Sequence, residues 1–426
     1  MNRFFLAVLA GFFILRPDVS AQTSTPQRIP EIQSALKSAK LEGWLFYDFR
    51  GSDPLSYRVL KLDEKHAGSR RWFYYVPASG EPIKLVHSIE QFHLDALPGK
   101  RVIYRSWKEL HARLREIVAG ASETKSNRRI AMQYSPMNDV PYMARVDAGT
   151  IELIRSFGAE PVTSAELVQQ FEAVWTPAQK ASHLEAAKKV HRIIQDAFAE
   201  IARRIRADES VTEYDIQQFM VRRFAEENMT CEGHPPNVSV GPNSAKPHYE
   251  VDPKTSSPIR RESFVLFDVW AKSKAAGSIY ADQTWVGSVS DTVPEEQARV
   301  FKIVREARDA AAEFVREAVR AGREIRGADV DDVCRGVIER AGFGEQFTHR
   351  TGHSIGEEVH GNGANIDNFE TRDSRRLIPG VGFSIEPGIY LEGKFGVRSE
   401  IDVYVGEKEI EVTGQPIQME VVAILK

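Results

Sequence analysis

The sequence predicts an α+β protein of two unequal domains: a smaller α/β domain, then a larger one whose helices flank an antiparallel sheet. Three observations carry that expectation. At 426 residues the chain is too long for one ordinary core. From about residue 28 to 160, strand-like apolar runs alternate with helical stretches, the pattern of an α/β layer. From 175 to 426, long amphipathic helices give way to runs rich in β-branched and aromatic residues with glycines around them.

Taken in order, "TPQRIPEIQSALKSAKLEGWLFYDF" reads as a short amphipathic helix followed by a strand at Trp44–Phe49. "RRWFYYVPASGEPIKLVH" reads as a hairpin around a Ser-Gly turn. Strands at Arg101–Tyr104 and Arg129–Tyr134 enclose a helix over Trp107–Val118. The larger domain opens at Thr176, a helix cap, with Pro177 in the first helical position and Gln179 completing a capping box. Ala187, Val190, Ile194, Ala197, Ile201 and Ile205 then form one apolar stripe. A second helix is expected from Ser210 with Glu213 as its capping partner, and a third from Pro294 towards Ala321. "SFVLFDVWA", "GFSIEPGIYL" and "GVRSEIDVYV" are the expected strands.

Composition narrows the partners. Lys+Arg 56 against Asp+Glu 60 gives a formal net charge of −4, which points away from nucleic acid and from a polybasic membrane surface, and towards a small molecule or peptide. The first residues join a basic Arg3, an apolar core from Phe4 to Leu15 and small residues at Val19-Ser20-Ala21, the pattern of a signal peptide over 1–21. That apolar run is short for a membrane span, so the mature form is expected to be secreted or periplasmic without a stable span. Cys231 and Cys334 could pair in an oxidising compartment, or lie buried as separate thiols.

The chemistry lies in carboxylates set among apolar residues. Asp268 in "FVLFDVW", Glu386 in "FSIEPGIY" and Glu400 in "VRSEIDVYV" each sit in a strand-like run, and Asp282 follows "SIYA" where a chain reversal can return it beside Asp268. A buried carboxylate needs a proton, a cationic partner or a metal. Strand alternation also places Arg398, Glu400 and Asp402 on one face. In "HRTGHSIGEEVHG", His349, His353 and His360 fall within twelve positions, and Gly352 and Gly356 favour a turn or close backbone approach over a helix. Carboxylates with imidazole suit Mn²⁺, Fe²⁺, Co²⁺ or Zn²⁺, and so many acids exceed the needs of one ion. Two ions roughly 3.5–4 Å apart are the expected geometry. His353 is the best imidazole ligand, with His349 and His360 as proton donors nearby. Glu357 and Glu358 read as solvated charge.

These residues resemble, in order, the pita-bread metallopeptidase family, and within it the aminopeptidase P and prolidase branch. The resemblance covers 175–426 through "NVSVGPNSAKPHYE" around His248, "LFDVW", "YADQT", "HRTGHSIGEEVHG", "IEPGIY" and "GVRSE". The region before it resembles a creatinase-type amino-terminal domain. The resemblance implies that Asp282 and Glu400 bridge two divalent ions, most readily Mn²⁺. Asp268 would complete one ion's shell, and His353 with Glu386 the other's. A hydroxide shared by the ions would attack an Xaa-Pro bond, with Glu386 accepting the proton and His248 and His360 contacting the substrate. His349 and Arg398 would line the same pocket. It implies a peptide substrate with proline second, and a homodimer. Two departures stand out. Asp268 and Asp282 are fourteen positions apart, further than the family's usual spacing, with "AKSKAAGS" lengthening the connection. The family's frequent Asp-x-Thr-Arg is here Asp282-Gln283-Thr284-Trp285, which puts an indole where a charge is expected near the pocket. Other readings are an Xaa-Pro dipeptidase, a metal-dependent lyase or hydrolase on the same fold, and an inactive binding protein, though such relatives lose ligands that this chain keeps.

Overall fold

The computed structural model describes residues 25–63, 65, 68–120 and 128–426, so the expected signal segment lies outside the described residues. Its first part comprises α1 (Thr25–Ser38), β1 (Gly43–Asp48), α2 (Pro54–Leu60), β2 (Trp72–Pro77), β3 (Ile83–His87), β4 (Lys100–Tyr104), α3 (Trp107–Ala119), β5 (Arg128–Met132), α4 (Ala148–Ser156) and β6 (Ala159–Thr163). The strands form one sheet in the order β4-β3-β2-β1-β5-β6. The β2–β3 hairpin is antiparallel as expected, whereas β1 runs parallel to β5 and β5 to β6. Trp44, Phe46, Trp72 and Tyr74 bury one face of this sheet, and Leu45, Tyr47, Phe73 and Tyr75 the other. Both faces are covered, which explains why β1 and β2 read as unbroken apolar runs.

A short helix, α5 (Ala165–Val168), leads to α6 (Pro177–Arg206) and α7 (Glu213–Glu226). The capping box of Thr176 and Gln179 forms as expected. The next cap differs. Thr212, not Ser210, caps α7, with Asp215 as its partner. Glu213 instead turns inward and is fully buried. It accepts hydrogen bonds from the amides of Val240 and Ser257, both at 2.8 Å, from Asn243 at 3.1 Å and from the Tyr249 hydroxyl at 2.8 Å. A carboxylate with four long-range donors is worth more to the chain than a cap duplicated one residue away.

Short strands β7 (Met229–Thr230) and β8 (Asn237–Val240) precede the long hairpin β9 (Phe264–Ser273) and β10 (Ala281–Ser288). Helices α8 (Glu295–Arg320) and α9 (Gly327–Arg340) follow, and then β11 (Ser354–Ile355), β12 (Gly382–Ile385), β13 (Gly388–Leu391), β14 (Phe395–Arg398), β15 (Ile401–Val405), β16 (Ile410–Val412) and β17 (Val422–Ala423). One sheet runs β17-β10-β9-β7 with β8 also on β9; a second runs β11-β12-β15-β16; β13 and β14 make a ribbon. Pairing is antiparallel except between β10 and β17. Helices α6, through Val190, Ile194, Ala197 and Ile201, and α7, through Ile216 and Met220, cover one sheet, and α8 and α9 cover the other. Cys334 is buried and Cys231 half-buried, both as free thiols. No helix among the described residues is long and apolar enough to cross a membrane.

Candidate metal centre

Two features of the hairpin bring its carboxylates together. The β9–β10 register sets Asp268 opposite Thr284 and Asp282 opposite Trp270. Side chains of alternate residues share a face, so Asp268, Asp282 and Thr284 all point to the same side. The fourteen-residue separation is absorbed by the turn after Ser273. Trp285, one residue on from Thr284, points the other way, is 8% exposed and packs edge-on to His191 in the helix-covered core. The indole therefore lies on the opposite face of the sheet from the carboxylates, and no charge near the pocket has been exchanged for it.

The second sheet supplies the remaining ligands. His353 precedes β11, Glu386 follows β12 and Glu400 lies between β14 and β15. Ligand atoms of Asp282, His353 and Glu400 all fall within 4.8 Å of one another. His353 Nε2 is 3.7 Å from Asp282 Oδ2 and 3.4 Å from Glu386 Oε1. The His353 Nδ1–H donates to the Ser354 carbonyl at 3.1 Å, which leaves the Nε2 lone pair facing the carboxylates. Gly352 makes this possible: a Cβ there would lie 1.9 Å from the Ser384 carbonyl oxygen. At Gly356 the nearest atom would be an ordinary 3.5 Å away, so only the first glycine is needed for close approach.

The cluster holds more negative charge than the protein neutralises. Arg398 forms a close ion pair with Asp268 and lies 3.8 Å from Glu386 Oε2. Asp282 Oδ1 and Glu400 Oε1 are buried with no hydrogen-bond partner, the signature of oxygens waiting for a cation. Asp402 adds a further buried carboxylate behind them, accepting the Asp282 amide at 2.9 Å. Burial first, then the charges of Asp268, Asp402 and Glu386, push the Asp282 carboxyl well up. Burial and the charges of Asp282, Glu386 and Asp268 do the same to Glu400. Burial raises Glu386 to about 7 although Arg398 opposes it. Oxygen and imidazole donors without a thiolate, with two orphaned oxygens among them, fit divalent transition ions.

Three further histidines stand around the cluster. The surrounding protein, and then the charge of Arg350, hold His360 down to about 4 although the residue reaches the surface, and its ring stands edge-on to His353 with centroids 4.4 Å apart. His349 is pushed to about 3 by burial and by Arg398. Its Nδ1–H donates to the Arg350 carbonyl at 2.7 Å and its Nε2 accepts from the Tyr390 hydroxyl at 2.7 Å. Both nitrogens are thus engaged, one of them on the Tyr390 hydroxyl. His248 lines a cavity of about 400 Å³ that opens beside Asp268. Glu357 and Glu358 are exposed, as expected of solvated charge.

Sequence reasoning missed Thr284, Ser384 and Tyr390. Thr284 Oγ1 donates to Glu400 Oε2 at 2.8 Å and accepts from Arg398 Nε at 2.9 Å. Ser384 Oγ accepts the His353 amide at 3.0 Å and donates to Glu386 Oε1 at 3.2 Å. Thr284 was within reach of strand alternation, two residues from Asp282; the other two depend on long-range pairing.

Known proteins similar to this chain bear on its family and fold. The chain is 34% identical to the Xaa-Pro dipeptidase of Lactobacillus helveticus over 163 residues, 38% of this chain and 40% of that protein. It is 28% identical to a peptidase of Staphylococcus haemolyticus over 61% of this chain and 68% of the relative. Among solved structures, a prolidase from Thermococcus sibiricus superimposes with TM-score 0.60 at 22% identity, covering 93% of this chain and 98% of that one. X-prolyl aminopeptidase from Caenorhabditis elegans, described as a cytosolic enzyme with a di-nuclear active site, gives TM-score 0.62 at 15% identity over 95% of this chain and 63% of its own. These likenesses show a shared pita-bread fold. Residues 185–407, more than half of the chain, match metallopeptidase family M24, and the chain belongs to that family.

Proposed function

We propose that this protein is an Xaa-Pro peptidase of the aminopeptidase P type, releasing the first residue from peptides with proline in second place. The observation that carries the reading is the convergence of Asp282, His353 and Glu400, with Glu386 and Asp268 beside them, around two carboxylate oxygens that no protein donor satisfies. Two divalent ions held there would polarise the scissile carbonyl and make hydroxide available near neutral pH. Asp282 and Glu400, with Asp268 on one side and His353 and Glu386 on the other, would hold them.

The chain's own groups do the rest. Glu386, its carboxyl raised to about 7, is poised to accept the proton of the attacking water and return it to the leaving nitrogen. His360 and His248 can donate hydrogen bonds to the substrate carbonyl and to the negative charge that develops on it. Arg398 orients Asp268 and Glu386 while keeping Thr284 aimed at Glu400. A proline ring, rigid and without an N–H, suits selection by shape.

Manganese as the metal, a homodimeric assembly and export after loss of residues 1–21 belong to the same proposal. They draw support from the oxygen-rich ligand set, from the family resemblance, and from the Arg3, Phe4–Leu15 and Val19-Ser20-Ala21 pattern. A prolidase reading is the second one, favoured by the dipeptidase and prolidase names of the relatives. The test is turnover of Xaa-Pro dipeptides and longer Xaa-Pro peptides by the protein loaded with Mn²⁺. Cleavage of both is expected; cleavage of dipeptides alone selects prolidase; metal retention with no cleavage overturns the reading.

A further inference from the structure

His360 stands in a segment, 356–361, that is neither helix nor strand and reaches the surface. Contacts from elsewhere therefore have to aim its ring. The segment is closed on itself by the Gly361 amide, which donates to the Ser354 carbonyl at 2.6 Å, and by the Gly356 amide, which donates to the Glu358 carbonyl at 3.0 Å. Gln179 donates to Glu357 Oε1 at 3.2 Å and Arg58 pairs with Glu358, both in exposed contacts of the kind that hold little. Lys272 is different. Its side chain is only 12% exposed, and its ammonium donates to the Glu357 carbonyl, in the backbone of the turn itself.

The length of the β9–β10 hairpin puts Lys272 there. β9 runs on past the metal cluster to Ser273, and alternation keeps Asp268, Trp270 and Lys272 on one face of the strand. The same extension gives β7 its partner, with Thr230 opposite Lys272. Just beyond β7, Glu232 sits in the left-handed region at φ 50°, a conformation that its contacts must hold. Its carboxylate meets the Lys272 ammonium at 2.8 Å and accepts from the Tyr280 hydroxyl at 3.1 Å. That ammonium also lies 4.7 Å from the centre of the Tyr280 ring. An ammonium has three N–H groups, and a carboxylate, a carbonyl and a ring face stand around this one. Tyr280 completes the grip: its amide donates to the Gly356 carbonyl at 3.0 Å, and Val359 packs into the apolar cluster of Ile279 and Tyr280.

We propose that Lys272 is a positioning residue, through which the lengthened hairpin grips the 356–361 turn and holds His360 against the metal cluster. The inference rests on the peptidase reading for the role of His360 but not for the grip. Lys272→Met keeps the length of the side chain and removes its charge. With Mn²⁺ bound and Ala-Pro-Ala as substrate, it should lower kcat/KM by about tenfold, mostly in kcat, the size of one lost hydrogen bond from a charged donor. In a His360→Ala background the same substitution should cost nothing, because its effect passes through that ring. A merely structural role would cost the same in both backgrounds. Hydrogen exchange read by mass spectrometry needs no turnover: the amides of 356–361 should exchange about tenfold faster in Lys272→Met, with those of β10 unchanged. Glu232→Gln, at an exposed position, loosens the same ammonium and should lower kcat/KM by about threefold.

Activity unchanged in both variants, an equal loss with and without His360, or 356–361 amides that exchange at the wild-type rate overturns the proposal while peptide cleavage stands. Faster exchange of those amides in Lys272→Met, with no turnover by the wild type, keeps the grip and overturns the peptidase reading. Absence of both turnover and a change in exchange overturns both.

Discussion

Replacing Glu386 by Gln should make the metal-free protein more stable and the metal-loaded protein inactive. Glu386 is buried within a cluster of acids, and its carboxyl rises from the usual 4.5 to about 7. The folded chain therefore binds more protons than the unfolded one between those values. This contribution to stability is present in full below pH 4.5 and is lost as pH rises through 7. At roughly 1.4 kcal/mol per pH unit the loss is about 3 kcal/mol. Asp282 and Glu400 are raised by the same neighbours, so removing one charge relieves them in the same direction. Glutamine keeps the shape without the charge. Urea unfolding with a chelator should show the variant about 3 kcal/mol more stable than wild type at pH 8 and equal to it near pH 4.5. Added Mn²⁺ should cancel the advantage at pH 8, because only the wild type offers the full ligand set. Turnover should fall at least about a hundredfold. A stability difference between variant and wild type that does not change with pH would refute the reasoning.

Two further outcomes follow from packing. Glu213→Ala strands four donors, two of them in the segment that carries His248, so stability should fall by about 3 kcal/mol in urea unfolding and KM should rise more than kcat falls. Gly352→Ala forces a Cβ against the Ser384 carbonyl and should lower stability by about 3 kcal/mol and weaken Mn²⁺ binding in calorimetry, whereas Gly356→Ala, with room around it, should change neither.

Much of this site was legible because each ligand broke a local rule. Asp268, Glu386 and Glu400 interrupted apolar strands, and the histidines clustered where glycine allowed the backbone to approach closely. Composition and alternation expose such conflicts without knowledge of the fold. The supporting bonds were not legible. His349 lies 41 residues from Tyr390, and the role of Glu213 depends on a segment 27 to 44 residues further on. Its rival Thr212 differed from Ser210 only in which hydroxyl the turn presents. Trp285 taught a related lesson: its neighbour Thr284 enters the site, and a single step along a strand sends the next side chain to the opposite face.

Elemental analysis of the purified protein, equilibrated with Mn²⁺ and freed of excess, tests the ligand set most directly. Two ions per chain are expected, falling towards none in Asp282→Asn and in Glu400→Gln, each of which removes a proposed bridge. Wild-type protein that holds no ion, or variants that hold as many as the wild type, would contradict the account.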